Sequence, residues 1–327
     1  MSRSVDDAAV LITNSHDQDM ADLSQALTRR GVPNLLWSFD ARDEELVVDA
    51  APGRFRLQRD EQVLSSERLA AARVVVHRSG LGQQLCPVVT IQGSRREREF
   101  AGREWSSLIH GLLIEAEYRH EHLTWVNRPS TGLVAAKKYQ LLATAELDGL
   151  RVPGLRVSTE GLLPHSSTDQ YVCKAINEDE NIDDRRVYAT AVLDDEDVSA
   201  PFRTNVPSLI QERVRAQCEL RLYCLLGAVL CLRVVTDTPD YADIRLVRPE
   251  SVSIDQVAVP PALEDHVRRY CRRHRLAYCA FDFLRTADGQ DLLIDVNPAG
   301  GWAFYETPGE PIVTEWYADT ISRTISR

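Results

Sequence analysis

Two aspartates and an asparagine near the end of the chain are spaced as oxygen ligands for a hard cation. They lie in Cys279-Ala280-Phe281-Asp282-Phe283-Leu284 and in Leu292-Leu293-Ile294-Asp295-Val296-Asn297-Pro298, with Asp288-Gly289 between. Asp-Gly flanked by apolar runs is a strong hairpin signal. With those two residues as the loop, Asp282 lies directly opposite Asp295 and shares its side of the sheet. Asn297, two residues along, faces the same way. Like charges opposed across a strand pair are unfavourable, and a cation between them removes the conflict. Two carboxylates and an amide oxygen are ligands that Mg²⁺ accepts alongside nucleotide phosphates. The bland alternative is two aspartates facing water, and a longer loop would shift the register.

Two lysines could supply positive charge to the same chemistry. Lys174 sits in Tyr171-Val172-Cys173-Lys174-Ala175-Ile176, a segment otherwise apolar. An ammonium there needs an anionic partner or a route to water. Lys138 follows Lys137 on a helix after Asn127-Arg128-Pro129. A nucleotide phosphate would partner either as a point charge; a solvated helix face would also explain Lys138. Further on, Leu209-Ile210-Gln211-Glu212-Arg213-Val214 reads as a strand running into a short polar link. Such a link offers backbone donors and acceptors to an adenine edge, with Val214 against the ring. Glu219 can accept from both ribose hydroxyls, and Arg221 and Arg245 can hold phosphate oxygens bidentately. Taken singly each is weak, because a strand arginine is commonly a surface ion-pair member.

Composition narrows the class. The chain has 327 residues, 44% hydrophobic and 27% charged, which suits a globular protein with one large core or two to three smaller ones. Net charge is −11, from 49 acidic and 38 basic residues. That surface repels a phosphate backbone, so no nucleic-acid partner is expected. Arg95-Arg96 and Arg272-Arg273 are the basic pairs, read as solvated helix faces. The seven cysteines include no Cys-x-x-Cys pair, and several lie in apolar runs. They read as buried hydrophobes in a reducing compartment. The start of the chain has no signal-peptide pattern, and no apolar run is long enough to span a bilayer. A cytoplasmic protein with no membrane partner is the expectation.

The elements that must position these residues alternate between strand and helix. Strands are expected at Ala9–Thr13, Leu35–Phe39 and Arg73–Arg78, and helices at Asp17–Gly31 and Phe100–Tyr118. The last should bury Trp105, Leu108, Ile109 and Leu112 on one face. Pro52-Gly53 within Glu45–Gln62 suggests a hairpin. A helix is expected from Ser130 to about Leu147, then a strand over Gln170–Ile176. Leu209–Cys231 is rich in strand formers, with Gly227-Ala228 as a turn. Leu263–Arg275 reads as helix, Ala277–Val296 as the hairpin, and Glu315–Ser326 as a last helix. The acidic stretches 177–184 and 194–197 read as exposed loops. The pattern is α+β or α/β in two or three domains.

Taken in order, Lys138, Lys174, Gln211-Glu212-Arg213-Val214, Glu219-Leu220-Arg221, Asp282 and Asp295-Val296-Asn297-Pro298 resemble the ATP-grasp superfamily. The resemblance covers the last two-thirds of the chain. Within it the chain is most similar to the microviridin-type peptide maturases, the graspetide synthetases. Trp125-Val126-Asn127-Arg128-Pro129 resembles their W-x-N-x-P lead-in, and Gln211-Glu212-Arg213-Val214 their Q-E-x-V hinge. Asp295-Val296-Asn297-Pro298 with Gly301-Trp302 resembles their E-V-N-P-x-G-x-W run, and Pro311-Ile312-Val313 their L-P-I. Val76-His77-Arg78 resembles the arginine-bearing strand of their N-terminal domain. There are departures. Asp295 stands for the usual Glu, Ala299 and Gly301 for amide side chains, and Asp243-Ile244-Arg245 for Asp-Trp-Arg.

The resemblance implies an ATP-grasp fold behind a pre-ATP-grasp α/β domain, divided as residues 1–124, 125–206 and 207–327. It implies ATP and Mg²⁺ as cofactors. Lys138 and Lys174 would hold phosphates, Gln211, Glu212 and Val214 would flank adenine, and Glu219 would take the ribose. Asp282, Asp295 and Asn297 would bind Mg²⁺, and Arg221 and Arg245 would neutralise the γ-phosphate and an acyl phosphate. The implied reaction joins side chains of a ribosomal precursor peptide, leader plus core, into ester or amide macrocycles, and a homodimer is compatible with it. The alternatives are a ligase of free amino acids or small carboxylic acids, and a nucleotide-binding protein without turnover.

Overall fold

A computed structural model describes residues 7–13, 17–39, 46–78, 94–131, 137–159, 171–174, 176, 181–182, 185–186, 191–192, 207–238, 241, 244, 247–306 and 309–327. The chain opens with β1 (Ala9–Thr13), α1 (Gln18–Arg29), β2 (Asn34–Ser38), β3 (Val47–Ala51), β4 (Arg54–Arg59), β5 (Gln62–Ser65), α2 (Ser66–Ala71), β6 (Val74–His77), α3 (Arg95–Arg119) and β7 (Thr124–Val126). It continues with α4 (Lys138–Ala143), β8 (Leu155–Ser158), β9 (Tyr171–Lys174), β10 (Asn181–Ile182), β11 (Arg185–Arg186), β12 (Ala191–Val192) and β13 (Ser208–Glu212). It closes with β14 (Cys218–Leu225), β15 (Ala228–Thr236), β16 (Val252–Val257), α5 (Pro261–Arg273), β17 (Tyr278–Arg285), β18 (Asp291–Asn297) and α6 (Ile312–Ile325).

The first sheet runs β2-β1-β6-β7, with all neighbours parallel. A parallel sheet covered on both faces needs strands that are apolar throughout, and all five residues of β1 are buried. Its side chains alternate between two cores. Val10 and Ile12 join Ile109, Leu112 and Leu113 of α3. Ala9 and Leu11 join Met20 and Leu23 of α1. Asp17 caps α1 by accepting from the Met20 N–H, and Ser94 and Glu97 form a capping box on α3.

The last sheet runs β16-β15-β14-β17-β18, antiparallel throughout, and it too is covered on both faces. Tyr223, Leu225, Tyr278 and Ala280 point into the core that contains α1, β1 and Val313, Tyr317 and Ile321 of α6. Leu222, Cys224, Cys279 and Phe281 point the other way, onto Val267 and Tyr270 of α5 and Leu141 of α4. The two ends of the chain therefore share one core. Asn127 pins them together. Its amide donates to the carbonyls of Tyr278 (2.8 Å) and Pro298 (2.9 Å) and accepts from the N–H groups of Ala277 (2.7 Å) and Tyr278 (2.8 Å). A third sheet, β12-β9-β13-β8, is antiparallel, and β3-β4-β5 form a meander.

Several expected elements differ. The hairpin over 45–62 gains a third strand, β5. The helix over 130–147 is not continuous: α4 occupies only 138–143, a 3-10 turn follows at 145–148, and 132–136 lie outside the described residues. Leu108 is 40% exposed, while Leu113 and Ala116 take its place on the buried face of α3. The β14–β15 turn is Leu226-Gly227, both at positive φ, one residue earlier than expected. Strand β16, polar at alternate positions, had no counterpart in the sequence reading. The stretch 194–197 and most of 177–184 lie outside the described residues. All six described cysteines are buried and free, and no described helix is long and apolar enough to cross a membrane.

Truncating Asn127 to Ala would leave several buried backbone groups without partners. Asn127→Ala should cost about 3 kcal/mol or more in urea unfolding; a loss below about 1 kcal/mol would contradict the pin. A second expectation concerns His77, whose Nε2 is buried without a hydrogen bond. Burial, with His110 nearby, pushes its imidazole down to about 3 from 6.5. The folded chain holds His77 neutral while the unfolded chain protonates it, so stability falls as pH drops from 6.5 toward 3. From about pH 6.5 to about pH 4.5 the protein should lose about 2 kcal/mol more than a His77→Gln variant. Equal losses would place the buried titration elsewhere.

Candidate active site

The hairpin β17–β18 brings Asp282 opposite Asp295, as the sequence suggests, but by a different path. The loop is longer than Asp288-Gly289. Thr286 donates to the Gln290 carbonyl and Gly289, at φ +81°, donates to that of Thr286. This shifts the register, pairing Leu284 with Leu292 and Phe283 with Leu293. A bulge then restores it, because Ile294 has no partner on β17. The residue set aside at the bulge is used: the Ile294 carbonyl accepts from Lys174 Nζ at 3.0 Å.

Each of the opposed carboxylates has a cation. Arg221, the β14 neighbour of Asp282, donates to Asp282 Oδ1 at 2.5 Å. Its guanidinium lies 5.1 Å from the Tyr223 ring and 4.9 Å from the Tyr305 ring, and donates to the Gly301 carbonyl at 3.0 Å. Burial works against its charge, but the Asp282 carboxylate prevails and raises its pKa well above the usual arginine value. Lys138 Nζ lies 3.7 Å from Asp295 Oδ1. That oxygen is buried and accepts no hydrogen bond. Asn297 Oδ1 accepts from the Ala299 N–H at 2.9 Å and keeps a second lone pair. An orphaned carboxylate oxygen within an all-oxygen set fits Mg²⁺. Among the described residues no group of three His, Cys, Asp or Glu could hold a metal, so such an ion would draw its remaining ligands from phosphates and water.

Beside the hairpin lies a cavity of about 140 Å³, lined by Lys174, Gln211, Glu212, Val214 and Glu219 among others. Gln211 is fully buried; its Oε1 accepts from Lys174 Nζ at 3.0 Å and its Nε2 has no partner. Glu212 turns toward the residue before β8, where its carboxylate accepts from the Gly154 N–H at 3.3 Å. Val172, Tyr241, Leu284 and Ile294 also line it and were not anticipated from the sequence. Val172 has a signal, since it lies two residues from Lys174 on one strand and shares its face. Tyr241 has none, being brought in by a loop. Its hydroxyl bonds to Glu219, and burial with that carboxylate pushes its pKa up. Arg245 lies outside the described residues.

Two glycines close the site. A Cβ on Gly300 would stand 2.6 Å from Ala280 Cβ and 3.0 Å from Arg221 Nη2. A Cβ on Gly301 would meet only the side-chain tips of Arg78 (2.9 Å) and Asp19 (3.0 Å). The first obstacle is a Cβ fixed to a strand; the second is a pair of side-chain ends, which a methyl displaces only by loosening the Asp19–Arg78 pair. Gly300→Ala should therefore cost about 1–3 kcal/mol in unfolding experiments, more than Gly301→Ala; the reverse order would show that the segment moves as a unit.

No family model and no curated protein matches the chain by sequence. Solved structures do match in fold. The macrocyclase MdnC of Microcystis aeruginosa MRC, bound with precursor peptide MdnA, superposes with a TM-score of 0.78 at 17% identity, over 96% of this chain and 99% of that one. The ATP-grasp ligase PsnB, complexed with a phosphomimetic variant of a minimal precursor, Mg and ADP, gives 0.74 at 18% identity over 98% and 99%. A RiPP-associated ATP-grasp ligase of Chryseobacterium gregarium, in complex with ADP and a leader and core peptide, gives 0.72 at 14% over 96% of each. From end to end, the chain has the fold of the ATP-grasp ligases.

Proposed function

We propose that this chain is an ATP- and Mg²⁺-dependent ligase that activates a carboxylate as an acyl phosphate and joins it to a hydroxyl or amine of the same precursor peptide. The observation that carries this reading is the junction at β18. Ile294 lines the cavity while its neighbour Asp295 faces Asp282, so a nucleotide seated in the cavity directs its phosphates at the carboxylate pair. Adenine would take the unpartnered Gln211 Nε2 donor, with Glu212 and Val214 flanking it and Glu219 on the ribose. Lys138 and Lys174 would hold phosphates. Asp282, Asp295 and Asn297 would hold Mg²⁺, which neutralises phosphate charge when bound. The division at residues 124 and 206 and a role for Arg245 belong to the same proposal.

The substrate carboxylate attacks the γ-phosphorus in line, the bond to the β-phosphate oxygen breaks, and ADP leaves. The chain's contribution is positioning and charge neutralisation. Arg221 is held by Asp282, Gly301 and two aromatic rings, so it meets the migrating phosphoryl group without reorganising. The hydroxyl or amine then attacks the acyl carbon, phosphate departs, and the nucleophile's proton is released. A peptide substrate is favoured by the likeness to the three ligases solved with precursor peptides, which extends over nearly the whole chain.

Incubating the protein with ATP, Mg²⁺ and the peptide encoded beside it should remove one water, about 18 Da, per bond formed, with ADP in proportion. ADP formed only with small acids would move the substrate class; no ADP under any condition would end the reading. Asp282→Asn and Asn297→Ala should each abolish ADP formation while retaining a cooperative unfolding transition. Normal turnover in either would remove it from the metal site.

A further inference from the structure

We propose that Asp19, on the first turn of α1 in the N-terminal part of the chain, is a positioning residue for Arg221. The inference rests on the reading of Arg221 as a γ-phosphate ligand. The link between them is a single peptide unit. The N–H of Trp302 donates to Asp19 Oδ2 at 2.9 Å, and the C=O of the same peptide, Gly301, accepts from Arg221 Nη2 at 3.0 Å. A carboxylate thus pulls on one end of a peptide dipole and a guanidinium on the other. Hydrogen bonds in series polarise one another and tighten, so the orientation of the plane, and the tilt of Arg221 with it, depends on Asp19.

Asp19 is itself fixed. It is buried, and Arg78 Nη1 lies 2.8 Å from Asp19 Oδ2 and 3.3 Å from Asp17 Oδ1. Asp17 is tied in turn to Thr13 Oγ1 at 2.6 Å. The Arg78 guanidinium lies 4.9 Å from the Trp302 ring, whose Nε1 donates to Thr314 Oγ1 at 2.9 Å. The peptide is therefore gripped from β1, α1, β6 and α6 together. Glycine at 301 is what lets this happen, since a Cβ there would stand 2.9 Å from Arg78 and 3.0 Å from Asp19. Asp19 touches no candidate ligand of nucleotide or metal; it acts through the peptide.

The γ-phosphate isolates the effect. Titration calorimetry with Mg²⁺ compares the affinities of AMPPNP and ADP, and their ratio reports what the γ-phosphate gains. Arg221→Ala should lower that ratio. Asp19→Ala should lower it by about tenfold, the scale of one charge-assisted hydrogen bond, with ADP affinity unchanged. Asp19→Asn keeps an oxygen that can accept from the Trp302 N–H and should keep most of the ratio. The double variant Asp19→Ala/Arg221→Ala should fall no further than Arg221→Ala alone. A ratio unchanged in Asp19→Ala but reduced in Arg221→Ala overturns the role of Asp19 and leaves the ligase reading standing. A wild-type protein that binds neither nucleotide overturns the reading itself. Should Asp19→Ala fail to fold, Arg78→Gln decides: it removes the cation that lies against Asp19 Oδ2, and a wild-type ratio there also overturns the role.

Discussion

Two carboxylates facing each other across a strand pair would push the hairpin apart, and much of the molecule is arranged to prevent that. Arg221 reaches Asp282 from the neighbouring strand β14, and Lys138 reaches Asp295 from α4. One cation comes from the adjacent strand of the same sheet and the other from a helix, so the charge balance of one hairpin also bears on where α4 sits. A charge removed from water needs partners of good geometry. Arg221 has them in Asp282, a backbone carbonyl and two aromatic rings.

The same arrangement needs a sheet that is covered where Arg221 lies. An arginine with so little access to water requires packing on every side, and the shared core of β1, α1, α6 and β14 supplies it. Asn127 contributes from the first sheet by satisfying backbone groups of Ala277, Tyr278 and Pro298 at once. Without that pin the start of β17 and the end of β18 would each have buried polar groups to account for.

The core strands and the chemistry-bearing residues were legible because their signals are local. Unbroken apolar runs marked β1 and β6, and a charge within an apolar segment marked Lys174. The facing of Asp282 and Asp295 was legible too, but through two opposite errors: the loop spans residues 286–290 and not Asp288-Gly289 alone, which shifts the register by one, and the extra residue Ile294 at the bulge shifts it back. Neither is visible in a pattern with period two. What sequence could not offer was partnership across distance. The Arg221–Asp282 pair spans 61 positions and the Asp19–Trp302 bond 283. Sequence suggested a cation between the aspartates, and the fold adds two side-chain cations beside them. Tyr241 was missed for the same reason, since no periodicity announces a loop residue that folds back onto Glu219.

The bulge at Ile294 also separates two halves of the hairpin that would otherwise share a fate. Below it, from Phe283 to Leu293, the pairing follows the turn; above it, Asp282 and Asp295 are held by Arg221, Lys138 and the peptide beyond Asn297. The one-residue shift that the tip imposes is cancelled before it reaches the aspartates. The alignment of the two carboxylates is thus set by the strands above the bulge, and the turn below it keeps a register of its own.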